Sequence, residues 1–166
     1  MLIRMAAHAD VEQVNVLRRE VNDLHALGEP DIFRYGFNRE LQEHLFTYLD
    51  AADKAVLVAE TEDGIVGFAC LEFVDRPETA YSHARRYLHV GEFGVGEGHR
   101  RQGIGRALFA AIRDAARERG LTRIELDVWA FNESAVRFYE SIGFHTYRSY
   151  MACTLDENTK EDDARC

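Results

Sequence analysis

The chain has 166 residues, 46% of them apolar, and a formal net charge of −9. That length suits one domain with a core of its own, and the acidic balance argues against nucleic acid as the main partner. No apolar run approaches a membrane span, the N-terminal M-L-I-R-M-A-A-H lacks a signal-peptide core, and Cys70, Cys153 and Cys166 show neither metal nor disulfide spacing, so the expectation is reduced thiols in a cytoplasmic protein without a metal.

Residues 2–5 read as a short first strand. Asp10 is placed to cap a helix in which Val11, Val14, Leu17, Val21 and Leu24 recur at helical spacing, ending at Gly28 before Pro30. Asn38 is placed to cap a second helix, with Leu41, Leu45 and Leu49 as its apolar stripe. Residues 55–59 and 65–73 read as strands around Glu62-Asp63-Gly64, a hairpin turn signal. A polar loop at 75–86 precedes a strand at 87–95, where Gly91 and Gly94 fit a bulge. A glycine-rich turn then enters a helix that runs to Arg119 and stops at Gly120. Residues 122–129 form the next strand. Asn132 caps the helix after it, and Gly143 supplies a left-handed stop. Two short strands, 144–147 and 150–155, complete a single domain over 1–155, with Cys70 and Cys153 in apolar strand contexts. The tail at 156–166 is polar enough to be disordered. The order β-α-α-β-β-β-α-β-α-β-β is α/β throughout, without internal repeats.

The turn after the fourth strand carries the most information. Arg100, Gly103 and Gly105 space out as R-x-x-G-x-G within R-R-Q-G-I-G-R, residues 100–106. A helix start leaves backbone N–H groups without intrahelical partners, and its dipole favours negative charge. Glycines let the backbone approach a ligand closely, so this joint can cradle a diphosphate while the flanking arginines add charge. Seven arginines stand between Arg100 and Arg123 against Asp114 and Glu118. Arg100, Arg101 and Arg106 lie near the cradle; Arg113, Arg117 and Arg119 read as a solvated helix face. A glycine spacing alone is weak. About thirty residues on, N-E-S-A-V-R-F-Y-E-S-I-G-F begins at Asn132.

Together the two segments resemble the GNAT superfamily of acyl-CoA-dependent N-acyltransferases. The resemblance covers residues 2–155, and residues 87–144 carry its specific motifs. It implies a mixed, mostly antiparallel central sheet with splayed central strands and helices on both faces. The splaying strands are those at 87–95 and 122–129. Acetyl-CoA is the implied co-substrate, with Phe93, Gly94, Val95, Arg100, Arg101, Gln102, Gly103, Ile104, Gly105, Arg106, Asn132, Ser134 and Tyr139 as its binding residues. A homodimer, paired through the C-terminal strands, is a further implication.

Amide formation sets the rest. The amine must attack as the free base, although alkylamines have a pKa of about 10. The developing oxyanion needs donors, and the resemblance places the first on the backbone of Phe93–Val95. The leaving thiolate needs a proton, and Tyr139 matches the family's tyrosine that reaches the cofactor sulfur; packing beside Phe138 is its alternative role. For the proton acceptor the resemblance points first to Glu92 acting through water, then to His89, then to Asp127. Regular alternation puts His89 and Glu92 on opposite strand faces, and a bulge at Gly91 would change that. The acceptor side draws on His25, Glu29, Asp31, Phe33, Tyr35, Phe37, Glu72, Asp75 and Tyr81, a mixture of acids and aromatics that suits a cationic or arylalkyl amine. A non-catalytic acyl-CoA sensor of the same fold is the competing reading. An unrelated nucleotide-binding domain is disfavoured, because no phosphate-loop lysine follows Gly105.

Overall fold

The computed structural model describes residues 1–155, so the expected disordered tail at 156–166 lies outside the described residues. Five strands form one sheet in chain order: β1 (Leu2–Met5), β2 (Lys54–Thr61), β3 (Gly64–Arg76), β4 (Arg85–Val95) and β5 (Ile124–Leu126). Neighbours pair antiparallel except β4 and β5, which run parallel. A parallel pair needs a crossover, and α4 (Ile104–Glu118) supplies it.

Strands β2 and β3 are apolar on both faces because both faces are covered. On one, α1 (Val11–Gly28) and α3 (Phe46–Leu49), with the residues just before α3, set Val14, Leu17, Leu45 and Tyr48 against Val56, Val58, Phe68 and Cys70. On the other, α4 sets Ile104, Leu108 and Ile112 against Leu57, Ala69, Leu71, Leu88 and Val90. Alternation along each strand divides the side chains between the two cores, and the four-residue spacing on α4 keeps its apolar stripe on the sheet. The mixed, mostly antiparallel sheet between helical layers is the architecture expected.

Several local expectations are corrected. The second helix is split. Asn38 caps α2 (Arg39–Glu43), its Oδ1 accepting from the Leu41 N–H at 2.9 Å. The Thr47 hydroxyl donates to the His44 carbonyl at 2.7 Å, and such local bonds compete with a continuous helical ladder. The chain restarts as α3 and still buries Leu45. Asp10 sits at the start of α1 without capping it. Its carboxylate accepts from the Arg4 guanidinium at 2.6 and 2.9 Å and from the Ala7 N–H at 2.7 Å. The loop expected at 75–86 is shorter, because the β3–β4 ladder continues through Asp75↔Arg86 and Arg76↔Arg85, a stretch with opposite charges directly across.

The C-terminal part departs most. Strand β5 covers three residues instead of eight, and the strands expected at 144–147 and 150–155 are not formed. Residues 145–155, Cys153 included, are exposed. A strand exists only where a neighbour completes its hydrogen bonds, and among the described residues β5 has no neighbour beyond β4. Helix α5 (Glu133–Ser141) forms as read, with Gly143 left-handed at φ 100°.

Candidate active site at the strand splay

Strand β4 positions the site. Its ladder pairs Glu72 with His89, Leu71 with Val90 and Cys70 with Glu92, which leaves Gly91 as an extra residue. This is the bulge. A Cβ on Gly91 would lie 2.7 Å from the Tyr48 hydroxyl oxygen, so glycine alone fits there. The extra residue shifts the alternation by one, and His89 and Glu92 both face the α1 side, as their ladder partners do. Gly94 does not bulge. It stays in register opposite Phe68, where a Cβ would come within 2.7 Å of the Phe68 ring.

Strands β4 and β5 share three rungs, from Leu88↔Ile124 to Val90↔Leu126. Beyond them the strands part, β4 toward Val95 and the other chain segment through Asp127 toward Phe131. Past Val90 strand β4 is bonded only to β3. Its opposite edge at Phe93–Val95 therefore presents unpaired backbone groups to the opening.

On the α5 side of the opening stands Tyr139. Its ring packs against Phe93, Phe138 and Phe144, with centroids 6.2, 5.4 and 5.7 Å away. Burial pushes the phenol up to about 12, so the hydroxyl keeps its proton throughout the neutral range. Asn132 Oδ1 accepts from the Ala135 N–H and the Ser134 hydroxyl, which leaves its amide N–H groups free to serve as donors.

The glycine turn lies at the start of α4. Arg101 and Gly103 both adopt positive φ, 64° and 85°, a nest-like bend that turns backbone N–H groups into one concavity. A Cβ on Gly103 would meet nothing within 4 Å, whereas one on Gly105 would lie 3.2 Å from the Phe138 ring. Ile104 anchors the helix start in the core. Of the flanking polar residues, Arg100 donates to the Val95 carbonyl at 3.1 Å, Gln102 to the Gly98 carbonyl at 3.3 Å and Arg106 to the Ser141 hydroxyl at 3.1 Å. These bonds brace the loop against β4 and α5. The open cradle, its free amides and its position beside the splay fit an extended diphosphate-bearing cofactor.

On the α1 side, both Glu92 oxygens accept from Arg18, at 2.7 and 2.8 Å. Arg18 is 3% exposed in its side chain, and its remaining nitrogen donates to Asn15 Oδ1 and the Leu41 carbonyl. Burial opposes its charge, but the Glu92 hydrogen bonds and charge outweigh burial and raise its pKa. Arg18 was not read as a site residue. Its signal was position, four residues after Val14 on the buried stripe. His89 lies 4.0 Å from the Asp127 carboxylate, across the last rungs before the opening. Glu72, beside His89, accepts from Tyr48 at 2.8 Å. Burial works against its carboxylate, and the Tyr48 and Lys54 bonds overcome it to hold the pKa below the usual range. Among the other acceptor-side residues expected, Tyr81 is fully exposed and Asp75 faces Arg86. His25 and Phe33 instead join Trp129 and Phe131 in a ring cluster.

A family profile described as the acetyltransferase (GNAT) family matches residues 21–144. The chain belongs to the GNAT family. Among curated proteins, the streptothricin acetyltransferase of Streptomyces lavendulae is 36% identical over 94 residues, 56% of this chain and 46% of that one. The chain thus spans less than half the length of the first curated relatives it matches. Among solved GNAT-like structures, a tetramutant of the BH1408 protein from Bacillus halodurans superposes with a TM-score of 0.90 at 30% identity, covering 93% of this chain and all of that one. AAC(6')-Iy in complex with the bisubstrate analog CoA-S-monomethyl-acetylneamine shares the fold, with a TM-score of 0.71 at 16% identity over 93% of this chain and 97% of that one.

Proposed function

We propose that the protein transfers an acetyl group from acetyl-CoA to a primary amine by direct attack. The observation that carries the reading is the nest at Arg101–Gly103 beside the β4–β5 splay, with the Tyr139 ring packed against Phe93 on the strand that forms the splay. The GNAT neighbour solved with a CoA-bearing bisubstrate supports it. Acetyl-CoA would supply an acyl carbon activated as a thioester and a thiol leaving group. Amides of residues 102–106 would hold its diphosphate, backbone N–H groups of Phe93–Val95 would donate to the acyl oxygen, and Tyr139 would donate its proton to sulfur. Asn132, and Ser134 beside it, would meet the cofactor arm without giving up the α5 cap.

For the amine's proton we propose His89, steadied by Asp127. Both oxygens of Glu92 already accept from Arg18, whereas the His89 imidazole is 26% exposed beside the opening. The cytoplasm and a homodimer complete the proposal. The first is supported by free Cys70 and Cys153, the second by the open edge of β5 and the exposed Tyr150, Met151 and Leu155. A monomeric mass in solution would remove the dimer.

Gly103→Glu places a side chain and a like charge in the cradle. The expected result is loss of acetyl-CoA binding in calorimetry with the fold intact by circular dichroism; unchanged affinity in the folded variant would refute the cofactor site. The base is tested by pH–rate profiles. His89→Gln is expected to abolish the acidic limb of kcat/KM, and Glu92→Gln to keep it. The reverse outcome returns the role to Glu92.

A further inference from the structure

We propose that four aromatic rings on the α1 side of the splay seat an aromatic or bulky apolar group carried by the acceptor amine. This rests on the transfer reaction proposed above and names its substrate class. His25 of α1 stacks on Phe33 of the following loop at 5.1 Å, and Phe33 meets Trp129 edge-on at 5.0 Å. Phe131 closes the set, 6.1 Å from His25 and 6.4 Å from Trp129. Three separate segments thus contribute to one cluster, and it belongs to neither core. Trp129 is 36% exposed. Core packing does not account for it.

The place of the rings points to the acceptor. Trp129 lies two residues beyond Asp127, the carboxylate facing His89. A cavity of about 510 Å³ adjoins the cluster through Phe33, and Phe37 and Leu41 also line it. Leu41 offers its carbonyl to Arg18, and the Arg18 guanidinium lies 5.5 Å from the Phe37 ring centroid. Phe33 is thus common to the ring cluster and the cavity, and Leu41 and Phe37 connect the cavity to Arg18. The volume is within the usual range of small-molecule sites, about 300–1,000 Å³.

Ring spacing decides between an apolar group and a cation. A cation held by a ring sits within about 6 Å of its centroid. Opposed rings of a cage must therefore stand roughly twice that apart. Here the centroids are 5.0–6.4 Å apart, so the rings already touch and leave no slot for an ammonium. They offer a continuous wall. Burial also lowers the pKa of His25, against the pull of Glu92, so this wall is uncharged at neutral pH.

Trp129 is the only tryptophan in the chain, so its emission reports directly on the wall. The test uses the full chain with 2-phenylethylamine, ethylamine and spermidine as probes. Binding is read from Trp129 emission and transfer from thiol release with acetyl-CoA. The expected results are a saturable emission change with 2-phenylethylamine alone, and a kcat/KM for it about 10- to 100-fold above that for ethylamine. Trp129→Ala and, independently, Phe33→Ala should bring that ratio close to one. A preference for spermidine, equal rates with ethylamine, or a ratio untouched by both variants overturns the seat. Thiol release indifferent to the side group overturns the seat alone. An emission response without thiol release from any amine overturns the transfer reading instead, and keeps the aromatic site.

Discussion

Tyr139→Phe is expected to lower kcat by about 10²–10⁴-fold, the usual scale for general acid–base contributions, with acetyl-CoA affinity nearly unchanged. The substitution removes one oxygen. The ring keeps its neighbours Phe93, Phe138 and Phe144, and α5 keeps its Asn132 cap, so neither the fold nor the cofactor cradle loses a contact. What disappears is the donor proposed to serve the leaving thiolate, and such a loss falls on turnover instead of ground-state binding. Because burial holds the phenol at about 12, the wild-type enzyme should show no alkaline limb from this group between pH 7 and 10. Raising the pH through about 12 would remove the proton and with it the rate. Wild-type turnover in the Phe variant would assign Tyr139 to packing.

Arg18→Met is expected to destabilise the fold by about 3 kcal/mol, measured from the urea midpoint. Removing one partner of a buried pair typically costs about 3–5 kcal/mol, because the other charge is left unpaired. Glu92 is 25% exposed in its side chain, which puts this case toward the low end. The lost bonds to Asn15 and Leu41 act in the same direction, since Leu41 then leaves its carbonyl with one partner fewer. The double variant Arg18→Met with Glu92→Gln should recover part of the loss, because the unpaired charge is gone; its departure from the sum of the two single changes is the coupling energy of the pair. Strict additivity of the two single changes would mean that Arg18 acts by filling space.

Motifs anchored in local backbone chemistry were legible in the sequence. The cap at Asn132, the stop at Gly143 and the glycine turn before α4 need only nearby residues, and each forms as read. The hairpin turn at Gly64 is of the same kind, left-handed at φ 95°. Features that depend on partners far along the chain were not legible. Arg18 meets Glu92 across 74 positions, and Asp10 does not cap α1 because its carboxylate is taken by Arg4 and the Ala7 N–H. Strands were expected at 144–147 and 150–155, but local sequence cannot supply the neighbour that a strand requires. The proposed acceptor side was half legible: His25 and Phe33 were read as part of it, while Trp129 was read as the end of a strand.

The extra residue in β4 has a consequence for reading other chains of the family. It acts as a phase shifter: everything before Gly91 and everything after it obeys opposite odd–even parity with respect to the two sides of the sheet. A relative with an unbroken fourth strand would have to carry its acid one position earlier to present it on the side where Glu92 stands. Matching columns across such a pair would then align residues that point in opposite directions. Deleting Gly91 would leave His89 and Glu92 two residues apart in a regular ladder and still on one side, whereas straightening the bulge with every residue kept would put on opposite sides two groups that now share a surface.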